Sequence, residues 1–132
     1  MSPEYVRYFT SLCARASTGD VKRVDFRPVK HGEWEPKSKV CHANADYWEG
    51  VTPSARAVRG WLICGNDGVG GYLFGAHSVV EENGELYDIT PHDCPSPGPE
   101  PPRLFLRHGG DKGPFDDMLP ACNFVPFNPH LF

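Results

Sequence analysis

His77-Ser-Val-Val-Glu-Glu-Asn-Gly-Glu-Leu-Tyr-Asp88-Ile-Thr90-Pro91 is the stretch on which the fold turns. Asn83-Gly84 stands between two strand-like runs, which is the strongest short-range signal for a β-hairpin. A type I′ turn there needs positive φ at both central residues, a demand that Asn tolerates and Gly meets freely. With those two residues as the loop, Glu82 faces Glu85, Val79 faces Asp88, and His77 faces Thr90. His77 and Asp88 then share one face, a diagonal step of about 7–8 Å apart, which their side chains can close. A carboxylate so placed accepts the imidazole proton, selects the tautomer and supports an imidazolium. Such a pair suits a histidine general base, with Asp88 lining the site so that Asp88→Asn leaves the hairpin folded.

Upstream, Ala57 to Cys64 reads as a strand, and the glycine-rich turn 65–71 joins it to the strand from Tyr72 to Glu81. Gly68-Val69-Gly70-Gly71 is no phosphate loop, because no Gly-Lys-Ser/Thr follows and no helix begins there. Further back, Cys41-His-Ala-Asn-Ala-Asp-Tyr-Trp-Glu49 lacks β-branched residues and ends at Gly50, so a short helix is expected over roughly 41–49. Cys41 lies at its N-terminal end. Aligned peptide dipoles and free N–H groups there favour a thiolate, and the same N–H groups are placed to stabilise an oxyanion. Cys41 is therefore the candidate nucleophile, followed in chain order by His77 and Asp88. Successive helical residues point about 100° apart, so Cys41 and His42 cannot both face one pocket fully, and His42 is expected to be exposed or hydrogen-bonded. Asn44, one turn on from Cys41, is a candidate substrate contact or else the anchor of the preceding loop. Trp61 is likewise a candidate substrate contact, with the core as its alternative place.

This order, with Cys41-His42-Ala43-Asn44, Gly60-Trp61 and the His77 to Pro91 phrase, resembles the papain-like cysteine hydrolase superfamily. The nearest likeness is to its transglutaminase-like branch, in which a strand histidine precedes an Asp-x-Thr phrase, and to small bacterial and phage proteins with the same segments. The resemblance spans roughly residues 38–91. It implies a papain-like core and a Cys41–His77–Asp88 triad acting on an amide, peptide or thioester-like bond without a cofactor. Papain-like peptidases place a glutamine shortly before the cysteine, and this chain contains no glutamine. Transglutaminase-like enzymes place an aromatic residue after it, where His42 and Ala43 stand here.

The flanks add an amphipathic helix over 2–17, with Ser2 as N-cap, Pro3 at the first helical position, and Val6, Phe9, Cys13 and Ala16 on one face. Val21 to Phe26 has strand character and 31–39 reads as a loop. The proline-rich run 94–102 reads as an extended connector. Arg103 to Arg107 suggests one more short strand, and 103–132 as a whole, ending in the aromatic tail 123–132, is expected to wrap the surface. The expected architecture is α+β, a single domain over 1–132 in which short N-terminal helices pack on a small antiparallel sheet.

Composition narrows the function. The chain has 132 residues, 14 Gly and 14 Pro, and 39% hydrophobic residues, which argues against a helical bundle. Net charge is −4, with 13 basic against 17 acidic residues and no dense basic stripe, which disfavours nucleic acid as a partner. No apolar run reaches the ~18 residues of a membrane helix. The N-terminus shows no basic region leading an apolar stretch, so a cytoplasmic protein is expected. The five cysteines are then reduced thiols rather than a disulfide frame. Two alternatives stay open. One is a non-enzymatic binding or accessory protein with a degenerate site. The other is a small zinc protein using Cys41, His77 and Asp88, with His42 and the cluster His92-Asp93-Cys94 as further ligand types.

Overall fold

The computed structural model describes residues 1–93 and 101–132. Three helices and six strands make up the described architecture. In chain order they are α1 (Pro3–Ser17), β1 (Lys22–Phe26), α2 (Cys41–Val51), β2 (Ala55–Asn66), β3 (Tyr72–Glu82), β4 (Glu85–Asp88), β5 (Arg103–Arg107), α3 (Lys112–Cys122) and β6 (Phe124–Phe127). The α+β class is as expected, but the sheet is neither small nor purely antiparallel. Strands pair in the order β2-β5-β1-β4-β3, and β2 pairs β3 to close a five-stranded barrel. One junction, β1 with β4, is parallel. No short turn joins those strands, because the whole of α2, β2 and β3 intervenes between them.

The turn chemistry sets the hairpin. Asn83 and Gly84 both take positive φ, 53° and 80°, and the ladder pairs Glu82 with Glu85, Glu81 with Leu86, and Val80 with Tyr87. There the antiparallel ladder stops. Extrapolation to Val79 opposite Asp88 and His77 opposite Thr90 is corrected: the ladder with β3 ends at Tyr87, while on its other edge β4 pairs on to Asp88, opposite Phe26 of β1. No atom lies within 4 Å of a Cβ built at Gly84, so Gly84→Val meets backbone strain alone. A β-branched residue at that φ is expected to lower stability by about 1–3 kcal/mol. Urea denaturation should show this as a lower midpoint at unchanged slope.

Alternation along the strands divides the apolar side chains into two sets. One residue from each barrel strand, Val24, Val58, Val79, Leu86 and Phe105, fills the interior. Gly60 sits over that layer, where a Cβ would run into the Phe105 ring and the Leu106 carbonyl. The outer face is covered by helices. Phe9, Leu12 and Cys13 of α1 and Phe115, Met118 and Cys122 of α3 pack on Trp61, Phe74 and Leu106. Ala45 of α2 packs on Ala55, Ala57 and Val80.

The C-terminal part is no wrap. β5 lies between β2 and β1, and β6 pairs antiparallel with β3 while burying Val125 and Phe127. Helix α3 is legible in the spacing of Phe115, Met118 and Cys122 behind Asp111. Pro114 falls in its first turn, and Pro120 lies near its end, so neither breaks a long ladder. The proline-rich connector falls mostly on 94–100, outside the described residues.

One edge of β3 is open midway along the strand. β4 leaves that edge at Val80, and β6 joins it only at Gly75, with the Asn123 carbonyl accepting from the Ala76 N–H. Neither ladder covers the intervening stretch with His77 and Ser78, and α2 approaches β3 from the helical layer.

Candidate active site

Helix α2 begins at Cys41 without a side-chain cap from Val40. Its first backbone bond runs from the Asn44 N–H to the Val40 carbonyl, so the N–H groups of 41–43 lie ahead of the helical ladder. Lys39, just before, sits at φ 70°, a left-handed conformation uncommon for a residue with a side chain. Asn44 explains how the approach is held. Its amide donates to the Lys37 carbonyl at 2.7 Å and to Thr90 Oγ1 at 2.9 Å, and its oxygen accepts from the Lys37 N–H. The residue thus ties the loop ahead of Cys41 to the strand end beyond Asp88.

His77 and Asp88 meet despite the shortened ladder. His77 Nε2 lies 2.6 Å from Asp88 Oδ2, and both residues are buried. Asp88 Oδ1 accepts from the Thr90 N–H at 2.9 Å, and Oδ2 also accepts from Arg103 at the start of β5. Arg103 donates further to the Thr90 carbonyl at 2.8 Å. Burial pushes the Asp88 carboxyl up, but the His77 hydrogen bond and charge, the Arg103 charge and the Thr90 amide outweigh it and hold the group below the usual carboxylate range.

Cys41 closes the chain of contacts. Burial alone raises its thiol, yet hydrogen bonding to His42 and His77, and the charge on His77, bring it down to about 5. For His77, burial lowers the imidazolium, and the bonds to Asp88 and Cys41 more than reverse this, raising it to about 9. With Nε2 engaged by Asp88, Nδ1 is the ring nitrogen left to the thiol. The arrangement is a thiolate–imidazolium pair backed by a fixed carboxylate. Among the described residues the other thiols go the opposite way. Burial raises Cys13 to about 11 and raises Cys64 and Cys122 as well.

Cys41, His77 and Asp88 are therefore brought together as the chain order suggested. Asn44 and Trp61 are not placed to touch a substrate. Asn44 is buried with its amide spent on the latch, and Trp61 is 0% exposed among Tyr8, Phe9 and Phe115, its Nε1 donating to Tyr8 at 2.7 Å. His42 is hydrogen-bonded as expected, its Nδ1 2.6 Å from Ser78 Oγ, but it does not turn away from the pocket. It lines the same cleft as Cys41, because the uncovered stretch of β3 lets the first turn of α2 present both side chains to one space. That cleft holds about 650 Å³ and is lined by Cys41, His42, His77 and Arg103 together with Leu62 and exposed Phe124.

A comparison with protein families, curated proteins and solved structures finds no match to this chain. No helix among the described residues is long and apolar enough to cross a membrane. Nor are three His, Cys, Asp or Glu side chains grouped among them to hold a metal ion. Cys94 of the suggested His92-Asp93-Cys94 cluster lies outside the described residues.

Sequence reasoning missed Arg103 and Ser78. Arg103 lies beyond the proline-rich run and reaches Asp88 only because β5 crosses the barrel beside β1. Ser78 is an ordinary strand serine until α2 is laid against it.

Proposed function

We propose that the protein is a cysteine-dependent hydrolase or acyltransferase with a papain-like core of the transglutaminase-like kind, acting on an amide, peptide or thioester-like bond. One observation carries the reading: Cys41 shares its cleft with His77, whose Nε2 lies 2.6 Å from buried Asp88, and the imidazole draws the thiol down. A helix-borne cysteine facing a strand histidine and an aspartate, in that chain order, also supports the likeness in core.

The chemistry follows from the proton positions. Cys41 Sγ adds to the substrate carbonyl carbon as the carbonyl electron pair moves onto oxygen. The N–H groups at the start of α2 face that developing charge. His77 gives its proton to the leaving amine or thiol, and an acyl-thioester with Cys41 remains. Water or an amine then attacks the thioester while His77 takes the incoming proton, and the thiolate departs. Asp88 stays ionised throughout, holding the ring so that Nδ1 faces the sulfur.

The test is alkylation of the intact protein by iodoacetamide across pH, followed by peptide mapping. Cys41 is expected to label selectively with a midpoint near 5, ahead of every other thiol. Labelling of Cys41 in step with the remaining cysteines rejects the nucleophile, and protection lifted by a chelator indicates a metal site instead.

A further inference from the structure

Two imidazoles, not one, line the cleft with Cys41, and the hydrogen bonds behind the second ring bias which of its nitrogens carries a proton. Arg59 is buried, 5% exposed, and held by Asp46 and Asp116. A guanidinium only donates. Its Nη1, 3.0 Å from Ser78 Oγ, therefore takes one of the hydroxyl's lone pairs. The hydroxyl proton is then free to point at His42 Nδ1, 2.6 Å away, and we take Nδ1 as the acceptor. With Nδ1 accepting, the ring bears its proton on Nε2, the nitrogen turned away from Ser78 in the cleft shared with Cys41. The ring is steadied by edge-on contact with Phe115, at 5.8 Å between centroids.

We infer that His42 Nε2–H is the side-chain donor of the oxyanion hole. The inference rests on the cysteine-hydrolase reading and extends it. In the resting site the N–H caps the thiolate. Once sulfur bonds to the carbonyl carbon, its negative charge passes to the carbonyl oxygen, one bond beyond that carbon. A donor already within reach of sulfur is then adjacent to the oxygen, and the N–H transfers from one acceptor to the next with the ring in place. The carbonyl oxygen thus has a side-chain donor beside the backbone N–H groups of α2. No proton moves from His42 at any step. His77 alone carries the proton to the leaving group, so the two histidines divide the work. Ser78 and Arg59 are positioning residues, acting only through the tautomer of His42.

Two electrophiles separate this role from simple stabilisation of the thiolate. Acylation by p-nitrophenyl acetate passes through an oxyanion, whereas displacement on iodoacetamide at a saturated carbon does not. Both rates are measured across pH and mapped to the Cys41 peptide for the wild-type chain, His42→Phe, His42→Gln and Ser78→Ala. At pH values where the Cys41 of each variant is fully ionised, His42→Phe should alkylate within about threefold of the wild type. Its acylation should fall by about 10–100-fold, on the scale of losing one oxyanion donor. His42→Gln, which restores an N–H donor, should recover part of the loss. Ser78→Ala releases the tautomer without removing the ring, so it should slow acylation selectively by a smaller factor. This variant carries the test if His42→Phe does not fold. Equal losses in both reactions, or none in either, with Cys41 still labelling at low pH, overturn the role of His42 and leave the hydrolase reading standing. A wild-type Cys41 that labels like the other thiols overturns both.

Discussion

Asp88→Asn is expected to cost the protein both its fold stability and its chemistry. A carboxylate only 1% exposed cannot be exchanged for its amide without consequence, because three donors converge on it from His77, Arg103 and the Thr90 N–H. Asn presents one oxygen, and its NH2 group faces at least one of those donors. Arg103, itself largely buried, loses its counter-charge. Breaking a buried ion pair from one side typically costs about 3–5 kcal/mol. In a domain with about 5–10 kcal/mol of net stability this leaves a marginal fold. The expectation that the hairpin tolerates this change therefore gives way, since it took Asp88 to line the site. Arg103→Met in the same chain should recover much of the stability, because it removes the stranded cation. Activity should not return, as His77 then lacks the acceptor that fixes its tautomer, a loss on the order of 10⁴ in turnover where such a carboxylate has been replaced. Thermal melts of the single and double variants check the first part, and Cys41 acylation rates check the second. A single variant as stable as the wild type would show that the convergence on Asp88 is incidental. The wild-type protein carries the matching acid sensitivity. Its Asp88 carboxyl titrates below the ordinary value, so the stability it contributes is full above about pH 4 and is lost as pH falls through the folded value.

His77→Ala should remove catalysis and change the shape of the pH profile. In the wild type, the competent ion pair forms as Cys41 ionises near 5 and disappears as His77 deprotonates near 9. Acylation chemistry should follow a bell between those limits, whose flanks belong to the coupled pair rather than to either residue alone. Without the imidazole, burial again pushes the thiol up and only His42 and the helix terminus oppose it, so the Cys41 midpoint rises. At pH 6 the variant therefore holds far less thiolate than the wild type. Iodoacetamide labelling should give a single rising curve displaced to higher pH. Turnover should fall by a factor of about 10⁴–10⁶, the scale seen when the base of a nucleophile–base pair is removed. An unchanged midpoint for Cys41 would show that the helix terminus and His42 hold the thiolate unaided, and the pair would lose its central role.

Local chemistry determined much of this protein before any tertiary contact. Ser2 and Pro3 start a helix because one side chain satisfies an orphan N–H and the other has none to lose. Asn83-Gly84 makes its hairpin because both residues accept positive φ, and the register near the turn follows from that geometry alone. Cys41, His77 and Asp88 could be singled out because two of them share that hairpin and the third opens a helix. What tertiary structure decided lies where distant segments meet. β4 pairs in parallel with β1 on the edge opposite β3, and no periodicity within either strand announces it. Insertion of β5 beside β1 puts Arg103 on Asp88 and turns a site-lining carboxylate into a buried one. Trp61 and Asn44 have the polar and aromatic groups of ligand contacts, but packing consumes them, one under α1 and α3 and the other in the latch between 37 and 90. His42 is the reverse case. Helical geometry alone turns it away from Cys41's direction, and the uncovered edge of β3 gives both residues the same cleft. Sequence spacing records which side chains share an element's face; which faces then meet depends on long-range pairings that no single segment encodes.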